Sequence, residues 1–220
     1  MVENTLIPPT FLFRIANPLL YTKQRWKKQG LELDPKYVLP SYHAELNGGP
    51  RFADLRVGWN EDGIAINLRV AGKKQAPWCR ESRIDDSDGL SLFIDTRNTQ
   101  NIHRAGRFCH RFVFCPQGSG RLMDEPTAQL VEIHRARENP KPVPQGSLKI
   151  RSEKRIDGYI VHAFIEAKAI TGWEPDDQLR LGFSYAVVDR ELGWQTFSLG
   201  PEFPFASDPS LWGSLELLTD

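Results

Sequence analysis

The chain has 220 residues, 40% of them hydrophobic and 25% charged, with no low-complexity tract, so a disordered or fibrous protein is excluded. At 25.1 kDa the scaling of folded surface with mass buries roughly 72% of the unfolded chain, enough for one sizeable core. Lys and Arg number 28 against 28 Asp and Glu, which leaves no global field to hold a nucleic-acid backbone, and no apolar run approaches a membrane span.

The first twenty residues carry Glu3 where a leader would be basic, and Pro8, Pro9 and Pro18 break any apolar stretch. Cys79, Cys109 and Cys115 are an odd number and too few for a disulfide framework. The location expected from these features is cytoplasmic, or extracellular if a leader has been trimmed away. Residues 1–45 hold Arg14, Lys23, Arg25, Lys27 and Lys28 among aromatics and show no clear period; they are expected to wrap the domain as an extra strand or arm.

Beyond them the dominant period is two. Leu55, Val57 and Trp59 alternate with polar residues, Asn60-Glu61-Asp62-Gly63 turns the chain, and Ile64, Ile66, Leu68 and Val70 resume the pattern as a hairpin. Leu90 to Asp95, Phe108 to Cys115 and Gln129 to His134 read as further strands. Leu148 and Ile150 lead through Asp157-Gly158, which supplies the positive φ of a tight turn, into Tyr159, Val161, Ala163 and Ile165. Ala167 to Trp173 reads as one helical turn ending at Gly172. Leu179 to Val187 is a long alternating strand, turned by Glu191-Leu192-Gly193 into Trp194 to Leu199, and Trp212 to Leu218 closes the chain. Pro140, Pro142 and Pro144 mark a loop between similar strands and no boundary, so residues 1–220 form one domain. The expected fold class is all-β: an antiparallel β-sandwich of jelly-roll or immunoglobulin-like two-sheet type, with about nine or more strands and little helix.

Signals for an enzyme are missing. The sequence contains no GxSxG, GxxxxGK[ST], HExxH or GxGxxG. Cys109 and Cys115 would share a strand face roughly 20 Å apart with His110 on the other face, so they cannot meet on a metal or in a disulfide. Asp85, Asp86, Asp88 and Asp95 are near one another, but 28 acids supply such clusters anywhere; a solvated turn or a structural calcium is the better reading, and no catalytic pair is assigned. Residues 97–111 hold four arginines and two histidines without an acid, and a basic edge is expected there, usable for sugar hydroxyls or carboxylates. Trp78 lies in a polar loop between Lys73, Lys74, Arg80 and Glu81, an expensive place for an uncovered indole, and is the leading contact residue. Trp59, Trp173, Trp194 and Trp212 read as core packing.

The order of these pieces resembles the family 9 carbohydrate-binding modules. The matching pieces are Val57-Gly58-Trp59-Asn60-Glu61-Asp62-Gly63, Pro77-Trp78, Asp88 to Asp95, Arg111 in its strand, Gly158 to Ile165, Leu181-Gly182-Phe183 to Asp189, and Asp208-Pro209-Ser210-Leu211-Trp212-Gly213. The resemblance implies a non-catalytic sandwich that grips a sugar between two aromatic rings, with calcium as a common structural ion and no other cofactor. By that resemblance Trp78 is one ring and Arg111 a polar partner; Ser91 replaces a binding carboxylate and Ala186 a glutamine; Phe203 or Phe205 stands in for the second ring. Two alternatives stay open. One is a protein-interaction sandwich that has lost the sugar site. The other is a DOMON-type haem domain, for which Met123 with His162 or His134 is the conceivable ligand pair.

Overall fold

The computed structural model describes residues 7–219; residues 1–6, with Glu3 of the leader reading and the start of the expected arm, and residue 220 lie outside the described residues. Eleven strands form two sheets: β1 Ala16–Leu20, β2 Ala53–Asn60, β3 Gly63–Ala71, β4 Gly89–Asp95, β5 Cys109–Ser119, β6 Glu125–Val131, β7 Leu148–Arg155, β8 Gly158–Glu166, β9 Arg180–Asp189, β10 Gly193–Thr196 and β11 Gly213–Leu218. The larger sheet runs β1-β11-β9-β4-β5-β6, with β10 paired to β9, and the smaller runs β2-β3-β8-β7.

The inward set of each strand follows from its alternation. Leu90, Leu92 and Ile94 of β4 and Phe183, Tyr185 and Val187 of β9 meet Ile64, Ile66 and Leu68 of β3 and Val161, Ala163 and Ile165 of β8 in one continuous core between the sheets. All three expected hairpins form: β2 with β3, β7 with β8, β9 with β10. At the β7–β8 turn Gly158 has φ +151, and a Cβ there would lie 2.1 Å from the Val70 carbonyl oxygen, so glycine is obligatory on both backbone and steric grounds. The strand read at Gln129 to His134 starts earlier, at Glu125, and forms the sheet edge, where Pro126 costs no ladder bond. The helical turn after β8 is a 3-10 turn, Ala167–Ala169, with Gly172 at φ +80.

The amino-terminal stretch divides its work between the sheets. β1 adds to β11 in parallel, an extra strand on the larger sheet. The following residues cross the outer face of the smaller sheet, where Leu31, Leu33 and Tyr37 pack on Ala65 and Phe164. Asn67 clamps them, donating to the Leu31 carbonyl at 2.8 Å and accepting the Leu33 N–H at 2.5 Å. A short helix, α1 Tyr42–Asn47, is capped by Ser41, whose hydroxyl accepts the Ala44 N–H.

Candidate functional site

With the core side of the larger sheet filled, the opposite side of β4, β5 and β9 needs its own cover. Two sets of loops provide it. Cys79 and Ile84 pack on Val113 and Cys115, while Ala105, Leu199, Phe205 and Trp212 pack on Phe93, Cys109 and Ala186. The seam between these covers is the candidate site.

Register decides what the seam contains. Ser91 lies opposite both Val113 and Ala186, Phe93 lies opposite Arg111, and Trp194 lies opposite Val188. Cross-strand partners point to the same face, so Ser91, Arg111, Ala186 and Trp194 all face outward into one depression, with Phe205 on its wall. Its cavity volume is about 30 Å³, the room of about one water molecule. Asp85, on the lining, accepts a 2.5 Å hydrogen bond from Nη1 of Arg111. Arg111 is otherwise under-used. Its Nε is buried without a hydrogen-bond partner, and its guanidinium carbon stands 5.8 Å from the Phe93 ring centre.

Trp78 stands beside this depression without lining it. The 3-10 segment Glu81–Asp86 runs between them, Arg83 reaching the Trp78 ring and Asp85 reaching Arg111. The indole is half-buried, and the Arg190 guanidinium lies 3.5 Å from its ring centre, a stacked cation. Phe205 is buried edge-on to Phe93 at 5.8 Å, and Phe203 stacks on Phe11 at 5.2 Å, away from the depression. Phe205 therefore presents no open face and Phe203 does not line the depression, a correction to their expected role as second ring. Trp194 presents one instead: it is 39% exposed, not core packing as its sequence suggested. The signal that gives it away is Gln195, whose amide accepts the Phe52 and Ala53 N–H groups and donates to the Ala53 carbonyl, so the polar neighbour takes the inward position.

The acids of the 85–95 stretch are spent on cations and backbone. Asp86 pairs with Arg83 at 2.5 Å, and Asp88 accepts the N–H groups of Trp78 and Arg190. Lys73, almost fully buried, puts its ammonium 2.5 Å from Asp189, 3.5 Å from Asp88 and 3.8 Å from Glu191. Burial pushes the Asp88 carboxyl above its ordinary range, against the pull of the two N–H groups and Lys73. Glu191 is held low by the N–H groups of Gln75 and Lys74. An ammonium thus sits where these carboxylates converge, so the donor set does not fit a calcium ion; among the described residues no group of three His, Cys, Asp or Glu is arranged to hold a metal.

The remaining expected groups are dispersed. Arg97 pairs with Glu174 and Arg104 donates to the Arg135 carbonyl, while the guanidinium groups of Arg97 and Arg107 both lie against the Phe108 ring. Cys109 lies under one loop cover and Cys115 under the other, and burial raises the Cys109 thiol to about 12. The haem pairing does not assemble. Met123 and His134 lie beyond opposite ends of β6, roughly 20 Å of strand apart, and His162 bonds the Leu31 carbonyl beneath the amino-terminal stretch on the other sheet.

Two wider depressions of about 700 and 420 Å³ lie elsewhere. The first is lined by already paired charges, Arg69 with Asp157 and Arg51 with Glu45; the second, beside Trp26, by Arg25 with Asp62 and Lys168 with Glu166.

No family model and no curated protein matches the chain. Among solved structures it is similar to a family 9 carbohydrate-binding module from Caldicellulosiruptor kristjanssonii in complex with cellotriose, at TM-score 0.61 and 14% identity, covering 94% of this chain and 95% of that one. The same organism's family 9 module in complex with glucose gives TM-score 0.59 at 14% identity, covering 94% and 97%. A putative carbohydrate-binding protein from Bacteroides uniformis gives TM-score 0.51 at 12% identity, covering 93% and 98%. At these identities the likeness is one of fold: the chain has the two-sheet β-sandwich architecture of family 9 carbohydrate-binding modules.

Proposed function

We propose that the protein is a non-catalytic carbohydrate-binding module whose saccharide lies over the seam on the outer face of the larger sheet. The observation that carries this reading is the convergence of Arg111, Ser91 and the open face of Trp194 on one depression of that sheet. Trp194 offers its ring to the apolar side of a pyranose, Arg111 and Ser91 offer hydrogen bonds to its polar edge, and Trp78 flanks the far side of the 81–86 segment. Nothing in the depression is equipped to break a bond: its one carboxylate, Asp85, is held by a guanidinium and has no second carboxylate opposite it. Calorimetric titration of mono- and oligosaccharides against the wild type and Trp194→Ala tests the reading. Binding that weakens about tenfold in the variant supports it; no binding across a broad glycan panel removes it.

A second reading, a protein-interaction sandwich, is favoured by one observation. Leu12 and Phe13 are 67% and 66% exposed beside Phe11 at the rim of the same sheet. It predicts a soluble protein partner lost on Leu12→Ser/Phe13→Ser, with glycans inert.

A further inference from the structure

We propose that the ligand of this site is an acidic saccharide, one bearing a carboxylate or phosphate, whose oxyanion displaces Asp85 from Arg111. The proposal rests on the saccharide reading above and narrows it to a chemical class.

Arg111 is the first reason. Its side chain is only 18% exposed, yet Asp85 engages a single nitrogen, and the Nε–H remains buried with nothing to donate to. A guanidinium is a planar fork matched to two oxygens of one oxyanion, and leaving a buried charged donor unmade is costly. The edge of the guanidinium that Asp85 leaves open carries the Nε–H and Nη2; a single sugar hydroxyl can accept from one of these, and a carboxylate or phosphate from both.

Asp85 is the second. Its side chain is 64% exposed, its only hydrogen bond among the described residues is the one to Arg111, and it rides on a 3-10 segment interrupted by Arg83 at φ −136 and ψ 51. Such an exposed partner is a weak tether. It occupies the place of a ligand oxyanion, on the lining of a cavity the size of a water molecule. A neutral sugar gains little by evicting it, because the guanidinium would lose its only counter-charge. An incoming oxyanion restores that charge and opens the space together.

The surroundings are the third. Asp85 is the sole carboxylate lining the depression, with Ser91 and Ala186 on the sheet beneath. Arg190, stacked on Trp78 across the 81–86 segment, has no acidic partner among the described residues. Asp86 is neutralised by Arg83, and Asp88 is shielded by Lys73.

The test is calorimetric titration of the full chain with D-glucuronate, D-galacturonate, glucose 6-phosphate, glucose and the neutral methyl ester of glucuronate. The expected result is at least tenfold tighter binding of an acidic sugar than of glucose or the ester, weakening as salt is raised. A uronate preference or a glucose 6-phosphate preference both support the proposal and name the source of the oxyanion. Asp85→Asn removes the internal competitor from an exposed position and is expected to tighten acidic-sugar binding severalfold; Arg111→Gln is expected to abolish the preference, with thermal melts checking that each variant folds. Equal affinity for acidic and neutral sugars, or weaker acidic-sugar binding by Asp85→Asn, overturns the proposal while the wild type's saccharide binding stands. Binding of no sugar at all overturns the reading on which it stands.

Discussion

Replacing Lys73 with methionine keeps the length and apolar stem of the side chain and deletes the one positive charge among three carboxylates. The ammonium and its partners Asp88 and Asp189 are each about 98% buried or more, so the variant strands two carboxylates out of water. Breaking a buried ion pair from one side costs about 3–5 kcal/mol, and for a domain of this size each kcal/mol moves the melting temperature by about 2–4 °C. A loss of about 10 °C at pH 7 is expected by calorimetry. Without the cation, burial lifts the Asp88 carboxyl further above its ordinary value, so the folded variant takes up a proton before the unfolded chain does. The deficit must therefore shrink as pH falls toward about 4. The same cluster holds the Trp78 and Arg190 N–H groups and, through Glu191, those of Lys74 and Gln75, so sugar affinity should fall along with stability. A loss below about 1 kcal/mol with no pH dependence would refute the claim that this ammonium organises the rim.

His110 is buried, accepts the Thr171 N–H at Nε2 and is held neutral, its pKa lowered to about 4 chiefly by burial. The unfolded imidazole protonates near 6.5, so stability present above that pH is lost as pH falls toward 4, by about 3 kcal/mol, and His110→Gln should flatten that part of a pH series of thermal melts. Leu92→Ala, at a fully buried site on the central strand, is expected to cost about 2–5 kcal/mol in denaturant unfolding with the slope unchanged. Trp194→Ala, by contrast, should leave unfolding within about 0.5 kcal/mol of wild type while sugar affinity falls, because its ring supports no core residue.

Much of the fold was legible because alternation survives in β3, β4, β8 and β9, where both the inward set and the turn residues are explicit in the chain. The resemblance to family 9 modules put Arg111 and Ser91 forward, with Ala186 where that family carries a glutamine, and strand register brings the three to one depression. β1 escaped because only Leu19 of its five residues is buried, and its stability comes from β11, nearly two hundred residues on. Trp194 misled because hydrophobicity and burial are inverted there: the amide of Gln195 is satisfied by the backbone of Phe52 and Ala53, leaving the indole outside. Trp78 was correctly read as a loop indole, but the cation over it is Arg190, more than a hundred positions away, and nothing local announces that contact.

Backbone and side-chain N–H chemical-shift mapping of the nitrogen-labelled protein, titrated with neutral and acidic saccharides, tests the site most directly. Saturable shifts centred on the Trp194 indole N–H, the Arg111 Nε–H and the backbone of Ser91 are the result predicted. Shifts confined to the depression beside Trp26, or to the Val38–Gln195 groove, would place any sugar on a different surface and contradict the assignment.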